Sequence, residues 1–346
     1  MAQRLIASAP HVVEVEEFDS GSVGPMQVRI RTEYASGKHG TAQTLFDKVN
    51  FRGQTFDQER RFFQPTEGEG GGSFDGPMLL GTTAVGIVEE LGADVTSVAT
   101  GDRVVALGKI ASENVVDASQ VWRLGEADPL ESLCIEPAYV SIHAVREGNV
   151  RFGETVAVFG LGAIGLIAVQ MAARSGASRV IAVDPLQNRR EWALAHGADA
   201  ALDPKSEDVP LRMHELTDGP GVDVAIEAAG SYAALESAIK STRIRGRISA
   251  AGFYQGEATH LWLGREFHHN RLEIIVPHGC GWGHEPRDYP RWDERRAYTT
   301  MIEMLQEGKL DLSGLIDPLV ELDEAPAVWK RIENEPGTVI KYGVKF

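Results

Sequence analysis

Gly160-Leu161-Gly162-Ala163-Ile164-Gly165 lies directly behind the apolar run Thr155–Phe159 and opens the run 166–173, which reads as a helix. Three glycines at this spacing between a strand and a helix have different physical tasks. The first makes the tight turn, the second lets a pyrophosphate approach the backbone, and the third packs helix on strand. The helix start beyond them offers free amides and the positive end of a dipole to phosphate. The spacing therefore predicts a dinucleotide site at Gly160, Gly162, Ala163, Ile164 and Gly165. Asp184 ends the next strand, about twenty residues past the last glycine, where a carboxylate accepts the hydroxyls of an adenosine ribose and repels a 2′-phosphate. NAD is thereby favoured over NADP, although Arg189 and Arg190 follow closely and soften the preference.

Outward from this motif, strands at Thr155–Phe159, 180–183, 222–226 and 247–250 alternate with helical stretches. Such alternation implies a parallel sheet with helices on both faces. A further strand is expected at 272–276, an amphipathic helix at 298–307 and a closing strand at 340–344. Upstream, short strands at 27–31, 86–91 and 102–106 alternate with turns, as in an irregular β-rich domain. The fold class is α/β, divided into a β-rich domain at 1–137, a doubly wound parallel sheet of Rossmann type at 138–276, and a return to the first domain at 277–346.

Composition bounds the function. A chain of 346 residues, 43% of them hydrophobic, has material for two cores. It has no apolar run of membrane-spanning length, and its first ten residues lack the basic start and apolar stretch of a secretory signal, so a cytoplasmic protein with no membrane partner is expected. Cys134 and Cys280, the only cysteines, are too few for a disulfide framework or a four-cysteine zinc site. The net charge of −16, without a basic stripe, argues against nucleic acid as a partner. The glycine-rich run 67–76 reads as a surface loop, or as a lid over the cleft.

Several ordered motifs then carry a family resemblance. They are Gly81-Thr82-Thr83-Ala84-Val85-Gly86-Ile87-Val88, Gly101-Asp102-Arg103-Val104, Glu136-Pro137, the glycine motif and the ending Ile340-Lys341. Over most of its length the chain resembles the medium-chain dehydrogenase/reductase family, which includes zinc alcohol, sorbitol and threonine dehydrogenases. The resemblance implies a GroES-like first domain, a Rossmann second domain and an active site in the cleft between them. It also implies a cation near the cofactor pyrophosphate at Lys341, contacts to the nicotinamide half from Ala228, Gly252 and Phe253, and a homodimer or homotetramer built through the edge strand at 272–276.

At the metal positions the pattern breaks. Zinc-binding members of the family carry a cysteine where this chain has Ser36 and a His-Glu pair where it has Thr82-Thr83, and of the usual constellation only Glu136 remains. Hydroxyls are poor substitutes for thiolate or imidazole, and residues 105–115 lack the cysteines of a structural zinc lobe, so no metal is expected. Without a Lewis acid another group has to polarise the substrate oxygen. Alignment with the family puts Lys38 at the proton-relay position with His39 beside it, and a lysine ammonium stabilises a developing alkoxide. Lys38, helped by His39 and Glu136, is therefore the expected general acid/base, with Ser36 and Thr82 facing the substrate.

His278, Cys280 and His284 fit no standard zinc spacing, and the resemblance makes His278 and Trp282 pocket-lining candidates. Arg52, Arg60 and Arg61, among Phe51, Phe56, Phe62 and Phe63, suit either an anion pocket or a solvated helix face, and the helix face is the expectation. The expected function is zinc-independent, NAD(H)-dependent oxidation or reduction of a small secondary alcohol or ketone, such as a sugar or polyol. The alternatives are transient oxidation that drives elimination or epimerisation, an enoyl or quinone reductase, and an NAD-binding protein that has lost catalysis.

Overall fold

The computed structural model describes residues 1–40, 42, 46, 53–65, 76–279, 286–335 and 337–346. Its centre is a six-stranded sheet in the order Ala200–Leu202, Arg179–Val183, Thr155–Phe159, Val222–Glu227, Thr242–Ala250, Glu273–Ile275, with every neighbouring pair parallel. Thr155–Phe159 and Arg179–Val183 are buried from their second residue on, as expected of strands covered on both faces. The chain runs outward in one direction from Thr155–Phe159, then returns to pair Val222–Glu227 on its other side. That reversal leaves a crevice at the carboxyl ends of the two central strands, where open α/β sheets bind ligands.

The helix Ala163–Arg174 follows the glycine motif, and Gln187–Ala195, Val209–Leu216 and Tyr232–Ser241 make the later crossovers. Ala200–Leu202 has no counterpart among the expected strands, because three residues, two of them alanine, leave no alternation to read. Thr242–Ala250 begins five residues before its expected start, with a register shift against Val222–Glu227.

The first domain is organised by Gln27–Ser36, which pairs antiparallel with Thr83–Leu91, with Glu113–Asp117 and with the C-terminal strand Lys341–Lys345. Ile316–Glu321 adds in parallel beyond Lys341–Lys345, so the last stretch of chain completes the first sheet. Trp329, on the helix Ala325–Asn334, is fully buried and donates from Nε1 to the Tyr342 hydroxyl at 2.9 Å, which fastens that helix to the closing strand. Ala2–Ala9, Val12–Phe18 and Met78–Leu79 form a separate three-stranded sheet.

Between the domains runs the helix Ile135–Glu147, to which the sequence reading assigned no element. Pro137 sits in its first turn, where a missing amide costs nothing. The helix packs on Ala163–Arg174 and on Glu294–Gln306, which begins four residues before the expected 298. The arginine- and phenylalanine-rich segment is a correction to the expected helix face. It contains the hairpin Gln54–Asp57/Phe62–Pro65, in which Phe56 and Phe63 pair across the strands with ring centroids 5.0 Å apart. Asp57 closes the turn by accepting from the Arg60 backbone amide at 2.7 Å and pairing with its guanidinium at 2.9 Å, so local turn chemistry outweighs helix propensity there. Phe51, Arg52, most of the glycine-rich run, Cys280, Trp282 and His284 lie outside the described residues. Among the described residues, no helix is long and apolar enough to cross a membrane.

The glycine motif can be separated into its parts by mutation. A Cβ at Gly165 would stand 1.8 Å from the Gly160 carbonyl oxygen, whereas one at Gly162 would meet nothing within 4 Å. Gly165→Ala should therefore lower the unfolding free energy in urea by about 1–3 kcal/mol or more, and Gly162→Ala should leave it unchanged. Equal stabilities for the two variants would contradict the close helix–strand packing.

Candidate active site in the interdomain cleft

Four segments converge where the first domain meets the parallel sheet. The end of Gln27–Ser36 runs into Gly37, Lys38 and His39, Thr82 precedes the strand Thr83–Leu91, Glu136 opens the interdomain helix, and Lys341 begins the closing strand. Ser36 lies opposite Thr83 in the antiparallel register, and the Thr82 amide donates to the Ser36 carbonyl at 2.9 Å. Lys38 Nζ lies 2.6 Å from Glu136 Oε1, with the two side chains 29% and 14% exposed, so the ammonium is held but still reachable from solvent. Among the described residues, buried Glu136 Oε2 and the buried hydroxyls of Thr82 and Thr83 have no hydrogen-bond partner.

Lys341, 3% exposed, donates from Nζ to the Gly37 carbonyl at 3.0 Å. Burial pushes its proton affinity down and nearby Lys38 pushes it further, while Cys134 and Glu136 act the other way. Burial pushes the Cys134 thiol up to about 12, so it stays protonated and is not a nucleophile at neutral pH. His39 is pushed down to about 4, chiefly by burial and then by the charges of Lys341 and Arg189, so it is neutral near pH 7. The charges acting on it are thus the cations Lys341 and Arg189, while Lys38 and Glu136 meet in direct contact.

These residues do not fit a zinc ion. The Ser36 hydroxyl is committed as a donor to the Tyr342 carbonyl at 2.6 Å, and the Lys38 ammonium on Glu136 Oε1 brings a like charge to the place a divalent cation would take. Among the described residues, no group of three or more His, Cys, Asp or Glu side chains is arranged to hold a metal.

On the other side of the cleft the residues fit a dinucleotide. Gly160 takes φ +84°, a conformation that favours glycine, and its amide donates to the Val183 carbonyl at 2.9 Å. Gly162 presents open space, and no side chain caps the helix that starts at Ala163 and Ile164, so its first amides are available to phosphate oxygens. Asp184 is 4% exposed and accepts from the Leu161 and Leu186 amides, each at 2.8 Å, which aims its carboxylate at the glycine turn. Arg189 reaches within 3.9 Å of that carboxylate and also donates to the Val339 carbonyl at 3.3 Å, linking the cofactor-side helix to the residues before Lys341.

Ala228, Gly252 and Phe253 occupy the loops after the strands Val222–Glu227 and Thr242–Ala250. The Ala228 amide donates to the Phe159 carbonyl at 2.8 Å, the Gly252 amide to the Glu227 carbonyl at 2.9 Å, and the Phe253 ring is half exposed. His278 is exposed on the segment after Glu273–Ile275, and Gly279 lies against the Tyr139 ring. Trp282 lies outside the described residues.

Two residues near Glu136 were not among the sequence candidates. Tyr139 stacks on Tyr298 with ring centroids 4.4 Å apart, and the Tyr298 hydroxyl is pushed up by burial and next by the Glu136 charge. The spacing of Glu136 and Tyr139 on one helix face was a usable signal for the first. Nothing local in the sequence marks Tyr298, which arrives from the C-terminal segment.

Comparison with known proteins accords with this arrangement. The zinc-binding dehydrogenase family matches residues 163–294. The chain is 36% identical to D-guloside 3-dehydrogenase of Escherichia coli (strain K12) over 352 aligned positions, covering 99% of this chain and 100% of that one. Its fold is similar to that of galactitol-1-phosphate dehydrogenase from Escherichia coli, with TM-score 0.79 and 20% identity over 99% of this chain and 100% of the other. It is also similar to that of an NADP-bound protein of Sinorhizobium meliloti 1021, with TM-score 0.78 and 23% identity over 100% and 99% of the two chains. The chain belongs to the zinc-binding dehydrogenase family of medium-chain dehydrogenases/reductases, as a member with Ser36, Thr82 and Thr83 in place of zinc ligands.

Proposed function

We propose that the protein is a zinc-independent dehydrogenase that moves hydride between NAD(H) and a secondary alcohol carbon of a sugar or polyol, with Lys38 as general acid and base. The observation that carries this reading is the 2.6 Å contact between Lys38 and Glu136, in the family's metal position. The likeness to a D-guloside 3-dehydrogenase supports a hydroxyl of a sugar ring as the reacting group.

When bound, the nicotinamide supplies or takes up hydride at its C4. The chain's own residues handle the oxygen. In reduction, the Lys38 ammonium donates a hydrogen bond to the substrate carbonyl and delivers its proton as alkoxide charge develops. In oxidation the same step runs in reverse, the proton passing from the hydroxyl to the Lys38 amine, whose partial exposure lets it pass on to solvent. Glu136 holds the amine in one place through both directions, so that little reorganisation accompanies the step. His39, pushed down to about 4, stays uncharged and adds no further cation beside Lys341 and Arg189. Gly160, Gly162, Ala163, Ile164 and Gly165 would hold the pyrophosphate, and Asp184 the adenosine ribose.

Three measurements test this reading. Lys38→Met should lower kcat by about 10²- to 10⁴-fold, the usual contribution of a positioned acid/base, while NAD binding measured by calorimetry stays nearly unchanged. A variant that keeps most of its rate rules Lys38 out. Exhaustive chelation followed by elemental analysis should leave a metal-free protein at full rate, and loss of activity that zinc restores would show that a metal acts after all. Asp184→Ser should relax a preference for NAD over NADP by weakening NAD and admitting the 2′-phosphate. If the unaltered protein already binds NADP as tightly as NAD, the carboxylate does not set the choice.

A further inference from the structure

Glu227 ends the strand Val222–Glu227 and is completely buried. Its carboxylate is a meeting point. Oε1 accepts from the Ala229 amide at 2.9 Å and the Gly230 amide at 3.0 Å, and Oε2 accepts from the Tyr254 hydroxyl. Its own carbonyl accepts from the Ala251 amide at 2.7 Å and the Gly252 amide at 2.9 Å. A single residue therefore ties the loop that follows its own strand to the loop that follows the neighbouring strand Thr242–Ala250.

Those loops touch backbone to backbone. A Cβ on Gly252 would stand 2.3 Å from the Gly230 nitrogen, and a Cβ on Gly160, the first glycine of the cofactor motif, would stand 2.5 Å from the Ala229 nitrogen. Tyr254 stacks on Tyr232 with centroids 5.3 Å apart, and the Tyr232 hydroxyl donates to the Gly256 carbonyl at 3.0 Å, which anchors the outer end of the second loop. Burial alone would push the Glu227 carboxyl up, and the Tyr254 hydroxyl and the amides of residues 229–231 counter that push. Removing the carboxylate takes the side-chain acceptor away from the amides of Ala229 and Gly230, which then have to be satisfied some other way.

We propose that Glu227 is a positioning residue for the nicotinamide half of the cofactor, holding the loops 228–231 and 251–254 at the switch point of the sheet so that Ala228, Gly252 and Phe253 form one fixed wall. This rests on NAD(H) being the cofactor, as proposed above. Glu227 acts through the loops and meets neither cofactor nor substrate itself.

The test compares NADH with ADP-ribose, which keeps the adenosine and pyrophosphate but lacks nicotinamide. Binding of both is measured by calorimetry for the unaltered chain, Glu227→Ala, Glu227→Gln and Tyr254→Phe. Glu227→Ala should weaken NADH on the order of tenfold relative to ADP-ribose, the effect of one or two lost hydrogen bonds. Tyr254→Phe should shift the same ratio by less. Glu227→Gln, which keeps an oxygen for the two amides, should recover most of it. If Glu227→Ala does not fold, the ratios for the other two variants decide. The proposal is overturned if the ratio stays constant in the folded variants, or if both ligands weaken in parallel, as general damage to the fold would cause. An unaltered chain that binds neither ligand removes the cofactor reading and this inference with it, a result distinguishable from a constant ratio.

Discussion

Three chain turns at the carboxyl ends of adjacent parallel strands have to share a space with no room for side chains. Gly160 abuts Ala229, Gly230 abuts Gly252, and Gly165 abuts the Gly160 carbonyl, each at a distance that a Cβ would violate. Backbone atoms this close need donors and acceptors in register, and Glu227 and Asp184 supply the acceptors on the two sides of the crevice. The cleft takes its shape from this crowding, and the open space over Gly162 is what the crowding leaves free. A pyrophosphate approaching there meets backbone amides and a helix start, as an anion requires.

The same cleft gathers cations in a chain whose formal charge is −16. Lys38, Lys341 and Arg189 enter from three separate segments, and two carboxylates, Glu136 and Asp184, partly balance them. Burial first, and then the charges of Lys341 and Arg189, disfavour a proton on His39, so it adds no third cation to the field. An anionic cofactor would relieve that imbalance, so electrostatics and glycine geometry favour the same occupant. The negative surface and the positive cleft are compatible because interactions between exposed charges are screened over about 8–10 Å, while charges in the cleft are screened much less.

Fold and site were legible in the sequence to different depths for physical reasons. The parallel sheet could be read because buried strands such as Thr155–Phe159 are continuous apolar runs and because the glycine turn has a steric signature independent of the rest of the chain. Ala200–Leu202 was not legible, since its place is set by pairing with Arg179–Val183 rather than by its own side chains. The hairpin at Gln54–Asp57/Phe62–Pro65 was misread as a helix face because Asp57, which closes the turn on Arg60, was not weighed against the charge pattern. In the site, Lys38 and Glu136 could be named from family spacing, but their contact is a property of folding. Glu227 lies one residue past the expected strand 222–226 and was not among the candidates, because its role becomes visible only when the loop from Thr242–Ala250 arrives beside it.

The residues that stand at the family's metal positions are tied into the strand pairing. Ser36 spends its hydroxyl on the Tyr342 carbonyl, and Tyr342 in turn receives the Trp329 indole through its own hydroxyl, so position 36 helps fasten the C-terminal strand to the first sheet. A thiolate there would remove a donor from a buried carbonyl and bring a negative charge into the first core. Next to it, Lys341 is already buried against the Gly37 carbonyl, and Lys38 holds Oε1 of Glu136. Restoring cysteine and histidine at 36 and 82 would still leave the Lys38 ammonium on the Glu136 carboxylate, a like charge beside any divalent cation. The lysine pair and the closing strand therefore form one device: the contacts that hold the C-terminus in the first domain also fix where the site's positive charge stands.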